Sequence, residues 1–361
     1  MTGAVKKSAA IMLLSVLILT GCAKAPRIPD ESSTQGEITA ETLPDNTEKP
    51  LIVLSEPDMY TYDNLMSDVA SLQQTYTDKI QVLKLCETAD GRDVCDIVVG
   101  NQQCENQMLI LGAMHAREYI TSQLVMRQLL DCLDVLYGSN GEEFNGLAKK
   151  EILDGITIHF IPMSNPDGVT ISQLGPEAIR NQSLRDSILN LGIDDYSQWK
   201  ANAEGVDLNR NFDAGWTEYT GATYPSSERY KGEYPGSAPE AAALIKLTND
   251  YNFKRTISYH TCGSLIYWYY KQNGQVLEKS RSFAQRISNE TGYVMDGNYQ
   301  AVDAAGYKDW AVYKKSIPSL TIEVGDENGY GIINPVPMSR FGDIWQRNKN
   351  VVYAASYDLK Y

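Results

Sequence analysis

Met108-Leu-Ile-Leu-Gly112, then Ala113-Met114-His115-Ala116-Arg117-Glu118, then apolar positions at Ile120, Leu124, Val125, Leu129, Leu133 and Leu136 form the stretch that decides the fold. A short run of strand formers closes on a glycine, and an apolar stripe at helical spacing follows it. A buried strand therefore feeds an amphipathic helix through a short turn. The pattern returns downstream: residues 156–162, 256–258 and 319–324 read as strands, and 239–251, 276–290 and 341–357 read as helices. Such alternation predicts a single α/β domain with a central mixed, largely parallel sheet flanked by helices. Active residues in sheets of this kind gather beyond the carboxyl ends of the strands. His115, Asn165, His260 and Glu323 all fall at or just past predicted strand ends.

The domain is expected to span residues 57–361. Ahead of it, Lys6 and Lys7 precede an apolar run at 9–19 that ends in Leu19-Thr20-Gly21-Cys22. That run is shorter than the roughly 20 residues a membrane-spanning helix needs, so residues 1–21 read as an export signal. The tetrapeptide resembles the lipobox of bacterial lipoproteins, which implies lipidation at Cys22 and an exported protein held at the cell membrane by lipid alone. Residues 22–56 are rich in Pro, Thr, Ser and acids, without a hydrophobic period, and read as a tether.

The 361 residues are 43% hydrophobic and 22% charged, which excludes a disordered or fibrous chain. Acids outnumber Lys plus Arg by 46 to 32, for a formal charge of −14. No basic footprint for nucleic acid follows from such a balance. Five of the six cysteines lie beyond Cys22, an odd number for an exported chain, so one thiol at least is expected free. Around the turn signal Asp90-Gly91, residues 80–88 and 93–99 read as hairpin strands. Counting outward from a two-residue loop sets Cys86 opposite Cys95, close enough for a disulfide.

His115 and Glu118 stand three apart at the turn into the helix, where both can point at one ion. Imidazole and carboxylate suit Zn²⁺, and a catalytic zinc takes three protein ligands and keeps a position for water. Alone, a His-x-x-Glu is more often a surface pair. The chain holds two other histidines, His159 inside a strand pattern and His260 at the close of one; His260 is the better third ligand.

Six motifs follow one another in order: His115-Ala-Arg-Glu118, Asn165-Pro-Asp-Gly168, Asp207-Leu-Asn209-Arg210-Asn211-Phe212, Tyr259-His260, Tyr299-Gln300 and Thr321-Ile-Glu323. Together they resemble the zinc carboxypeptidase family, the relatives of carboxypeptidase A, over most of the domain. Trp199-Lys-Ala-Asn202, Ile266-Tyr-Trp268 and Tyr307-Lys-Asp-Trp310 look most like the bacterial γ-D-glutamyl-meso-diaminopimelate peptidases, which act on peptidoglycan stem peptides.

The resemblance implies a zinc metallopeptidase with one Zn²⁺ on His115, Glu118 and His260, and Glu323 as general base. It implies that Asn209 and Arg210 grip the substrate's terminal carboxylate, that Tyr299 closes over it, and that Arg117 contacts the substrate upstream. It makes Arg180, with Arg185 as its rival, the residue that stabilises the oxyanion. Lys308, just before Asp309-Trp310, would line the pocket for the terminal side chain, where a cation favours an anion such as the distal carboxylate of diaminopimelate. Cys262 stands where carboxypeptidase A relatives carry a tyrosine. A general metallocarboxypeptidase acting on ordinary peptides is the alternative within the class. A lipoprotein solute-binding protein is the alternative outside it, and it leaves His115, Glu118, His260 and Glu323 without a task.

Overall fold

Residues 59–296 and 304–361 are described by the structure, a computed structural model. The predicted signal, the tether, Cys22 and Tyr299 lie outside the described residues. Strands run at β1 (Ile80–Glu87), β2 (Asp93–Val99), β3 (Asn106–Leu111), β4 (Glu143–Phe144), β5 (Leu147–Ala148), β6 (Ile156–Ile161), β7 (Phe253–Gly263), β8 (Leu265–Tyr267), β9 (Val294–Met295) and β10 (Ser319–Gly325). Helices run at α1 (Tyr62–Thr75), α2 (Ile120–Tyr137), α3 (Lys149–Leu153), α4 (Pro166–Leu174), α5 (Gln182–Leu189), α6 (Pro239–Asp250), α7 (Gly274–Thr291), α8 (Tyr307–Lys314), α9 (Phe341–Asn348) and α10 (Val351–Lys360).

The main sheet has 8 strands in the order β1-β2-β6-β3-β7-β10-β8-β9, and β4 with β5 forms a separate hairpin. Its centre, β6-β3-β7-β10, is parallel, while β2 meets β6 and β8 meets β10 antiparallel. The sheet is thus mixed and mostly parallel, as expected. β6 is buried along its whole length and β3 along all but its first residue, because helices cover both faces and leave no room for polar alternation. On one side α2 buries Ile120, Leu124, Val125, Leu129 and Leu133; on the other, α6 and α8 bury Leu244, Leu247, Tyr307 and Trp310 against Leu109 and Leu111.

Two sequence expectations are corrected. The predicted helix over 341–357 is two helices, broken at Lys349-Asn350. The buried Asn348 side chain donates to Tyr293 Oη at 2.9 Å and Asn350 donates to Glu290 at 2.8 Å, contacts that turn the chain before α10.

Nor is there a disulfide between Cys86 and Cys95; both are free thiols. The hairpin loop is Ala89-Asp90-Gly91, with Thr88 N–H donating to Arg92 O at 2.8 Å and Gly91 at φ +74° in the left-handed region. Tertiary contacts hold that longer loop. Asp90 N–H donates to Asp167 at 2.9 Å, and the Asp90 carboxylate accepts from the backbone of Arg180 and Asn181 at 3.0 and 2.7 Å. Pairing then runs Glu87 with Asp93 and Cys86 with Val94, and a bulge shifts the register so that Lys84 meets Cys95. Val94 and Cys95 point to opposite faces, so Cys86 shares a face with Val94 and not with Cys95.

Candidate metal centre

β3 ends against Gly112, the glycine on which its strand-forming run closes. A Cβ at Gly112 would stand 2.7 Å from Thr121 O and 2.8 Å from Pro162 O, so only glycine lets β3 turn here between α2 and the end of β6. Ala113 N–H then donates to Thr121 Oγ1 at 2.7 Å, Ala116 N–H to Lys200 O at 3.1 Å, and the buried Asn165 donates to Met114 O and Ala201 O at 3.2 and 3.1 Å. The turn carrying His115 and Glu118 is therefore fixed on both sides. Asn165, foremost in its motif, works as the clamp, and it also caps α4 through Gly168 N–H at 3.0 Å.

β7 brings His260 to the same point. His115 Nδ1 lies 2.9 Å from Glu118 Oε1 and 3.0 Å from His260 Nδ1, and His260 Nδ1 lies 2.9 Å from Glu118 Oε2. All three residues are buried. Two imidazole nitrogens facing each other beside a carboxylate make a poor hydrogen-bonded cluster and a good set of donors for one small cation; among the described residues it is the one such His/Cys/Asp/Glu group. The outer nitrogens are held as ligating histidines usually are: His115 Nε2 faces Asp207 Oδ1 at 3.2 Å, and His260 Nε2 pairs with Ser258 Oγ at 3.1 Å.

The electrostatics follow from burial and neighbours. Burial alone would raise the Glu118 carboxyl, yet the two imidazoles outweigh it and hold that group well below the usual carboxylate range. Burial lowers His115, whereas at His260 the charge of Glu118 overrides burial and raises the pKa. Glu323, paired in register with His260 on the adjacent parallel strand, is pushed up to about 7 by burial and then by the charge of Glu118. A carboxyl near neutrality beside such a cluster suits proton transfer.

Around this cluster the predicted residues are placed unevenly. Tyr307 N–H donates to Asn209 Oδ1 at 3.0 Å, so Asn209 stands against the start of α8. Arg210 donates to Asn209 O at 2.7 Å, lies over the Tyr219 ring at 5.3 Å, and its charge is felt at both Glu323 and Asp207. Arg117 donates to Gln198 O at 2.9 Å. Lys308 is buried, with its ammonium donating to Tyr269 O at 2.9 Å and Asp309 Oδ1 at 2.5 Å; it is no solvated surface lysine.

Arg180 is directed elsewhere. Its guanidinium donates to Gly91 O at 3.3 Å in the β1–β2 loop, and Arg185 donates to Gln182 at 2.6 Å on exposed α5. Lys200 instead supplies the cation that reaches the cluster. Its side chain is 15% exposed, its Nζ lies 4.0 Å from Asp207 Oδ2, and its charge is felt at His115, Asp207, His260 and Glu323. Sequence reasoning passed over both Lys200 and the support role of Asp207, although Trp199-Lys-Ala-Asn202 and Asp207-Leu-Asn-Arg contain them.

The zinc carboxypeptidase family model matches residues 65–351. A γ-D-glutamyl-L-diamino acid endopeptidase 1 of Lysinibacillus sphaericus is 32% identical over 305 residues, covering 82% of this chain and 72% of its own. Carboxypeptidase A1 of Bos taurus is 27% identical over 199 residues, 51% of this chain and 44% of its own. Among solved structures, the bovine thrombin-activatable fibrinolysis inhibitor, determined in complex with a tick carboxypeptidase inhibitor, superposes with a TM-score of 0.65 at 19% identity, covering 84% of this chain and 98% of that one. The carboxypeptidase A of Helicoverpa armigera gives 0.62 at 16% identity, with coverage of 84% and 75%. The chain belongs to the zinc carboxypeptidase family and is a peptidase. That family implies a zinc cofactor, and the donor set of His115, Glu118 and His260 fits it.

Proposed function

We propose that this peptidase cleaves the γ-D-glutamyl bond to meso-diaminopimelate in peptidoglycan stem peptides, as an exported protein lipidated at Cys22. The observation that carries the substrate reading is the buried Lys308–Asp309 pair beside Asn209, together with the 32% identity to a γ-D-glutamyl-L-diamino acid endopeptidase. The far end of the diaminopimelate side chain bears both a carboxylate and an ammonium, and a lysine paired with an aspartate offers a partner for each. Lys308 keeps donor capacity beyond its two bonds, since an ammonium has three hydrogens.

Zinc held by His115, Glu118 and His260 would polarise the scissile carbonyl and acidify water. Glu323 takes the proton from the attacking water and returns it to the leaving amine. Asn209 and Arg210 hold the terminal carboxylate, an arrangement for which the guanidinium fork is suited. Tyr299 closes over that carboxylate and Arg117 contacts the upstream residue. Lys200, in place of Arg180, faces the negative charge that develops on the carbonyl oxygen. Asp207 orients His115.

The similarity to carboxypeptidase A1 supports the second reading, trimming of ordinary peptides at the carboxyl terminus. Comparing kcat/KM for a stem tripeptide and for a plain peptide with an apolar carboxyl-terminal residue separates the two. A large preference for the plain peptide would overturn the first reading.

A further inference from the structure

At the N-terminal ends of β7 and β10 a cavity of about 570 Å³ opens between the last turn of α6, the first turns of α7 and the turn from α8 into β10. His260 lies six residues further along β7 than Lys254, roughly 20 Å at the rise of a strand, so this cavity is remote from the metal centre. Its walls carry Lys254, Arg255, Lys279 and Lys315 against a single acid, Asp250, in a chain of formal charge −14.

The acids nearby are already engaged. Lys246 pairs with Asp250, and Asp358 holds Arg255 at 2.7 Å. Lys315 donates to a neutral amide, Asn249 Oδ1, at 2.7 Å. Lys254 and Lys279 have no carboxylate within ion-pair distance among the described residues. Three lysines from three different elements thus line one space with a single acid, Asp250, which is itself paired with Lys246.

We propose that this cavity binds an anion carrying two or more phosphate groups. Lysines on β7, on α7 and in the turn before β10 line one space, which is many times the roughly 30 Å³ of one water. Ammonium groups act as point-charge partners for phosphate oxygens, and an occupant relieves their mutual repulsion. Asn252, Gln275 and Ser316 line the same space and add neutral donors.

Titration calorimetry of the zinc-loaded full chain with tripolyphosphate tests the site. Saturable binding is expected, weakened at least tenfold in the Lys254→Gln/Lys279→Gln double variant and weakened by added salt. Peptidase turnover of the double variant should be unchanged. Sedimentation with vesicles containing cardiolipin, a lipid with two phosphates, lost in the same variant, would assign the phosphates to a lipid headgroup; tripolyphosphate binding without vesicle binding would assign them to a soluble source. No binding of either probe, or binding equally tight in the double variant, as phosphate seated on the zinc would give, overturns the proposal.

Discussion

His260 and Glu323 are register partners on adjacent parallel strands, β7 and β10, so one pair of strands delivers both a proposed metal ligand and the carboxyl beside it. Their separation is set by strand spacing and not by a loop. Replacing Glu323 by Gln should leave zinc bound at one equivalent and lower kcat by about 10² to 10⁴-fold. His260→Ala should lose the metal itself. Full activity in Glu323→Gln would remove Glu323 from proton transfer.

Lys200 carries the second mechanistic assignment. Lys200→Ala should lower kcat by about 10² to 10³-fold with little change in KM, the range for removing one oxyanion donor, while Lys200→Arg recovers part of the loss. Arg180→Ala should change kcat by less than about twofold, because its described contact is to the β1–β2 loop. The reverse ranking in steady-state kinetics would restore the arginine.

Much of this site could be read from the sequence because the residues sit at fixed offsets from strands whose apolar runs are unmistakable. His115 and Glu118 follow β3 through a glycine that admits no side chain, and Glu323 lies two residues before the end of β10. Two differences between the expectation and the structure share one physical cause. The Asp90-Gly91 signal suggests a two-residue turn, but Asp167, Arg180 and Asn181 bind Asp90 from distant parts of the chain and lengthen the loop, which moves Cys86 out of register with Cys95. The same contacts draw Arg180 to that loop. Long-range contacts of this kind leave no local pattern. Lys200 was visible as a residue, but its approach to Asp207 depends on Asn165 and Ala116 joining two segments far apart in sequence.

Glu240 gives a prediction about stability. It is buried near the start of α6, accepts from Asn202 at 3.1 Å, and burial, then the charge of Asp167, leaves its pKa raised to about 8. A folded pKa above the unfolded value means the native state keeps a proton that the unfolded chain gives up. Its contribution is therefore fully present below pH 4.5 and is lost as pH rises towards 8, at up to about 1.4 kcal/mol per unit. Glu240→Gln should flatten that loss and raise the melting temperature at pH 8 to 9 relative to the parent. Identical pH profiles for the two proteins would contradict the burial of an acid here.

Lys308→Ala tests the specificity reading. Loss of a buried charged partner should lower kcat/KM for a diaminopimelate substrate by at least about tenfold, with a much smaller effect on peptides ending in lysine or an apolar residue. An equal loss on every substrate would make Lys308 a structural partner of Asp309 only.

The most direct measurement is release of meso-diaminopimelate from L-alanyl-γ-D-glutamyl-meso-diaminopimelate by the purified protein, followed with zinc bound, after chelation and after zinc is restored. Release that stops on chelation and returns with Zn²⁺ is the predicted result. A zinc-loaded protein that leaves this tripeptide intact while hydrolysing ordinary carboxyl-terminal peptide bonds would contradict the proposed substrate.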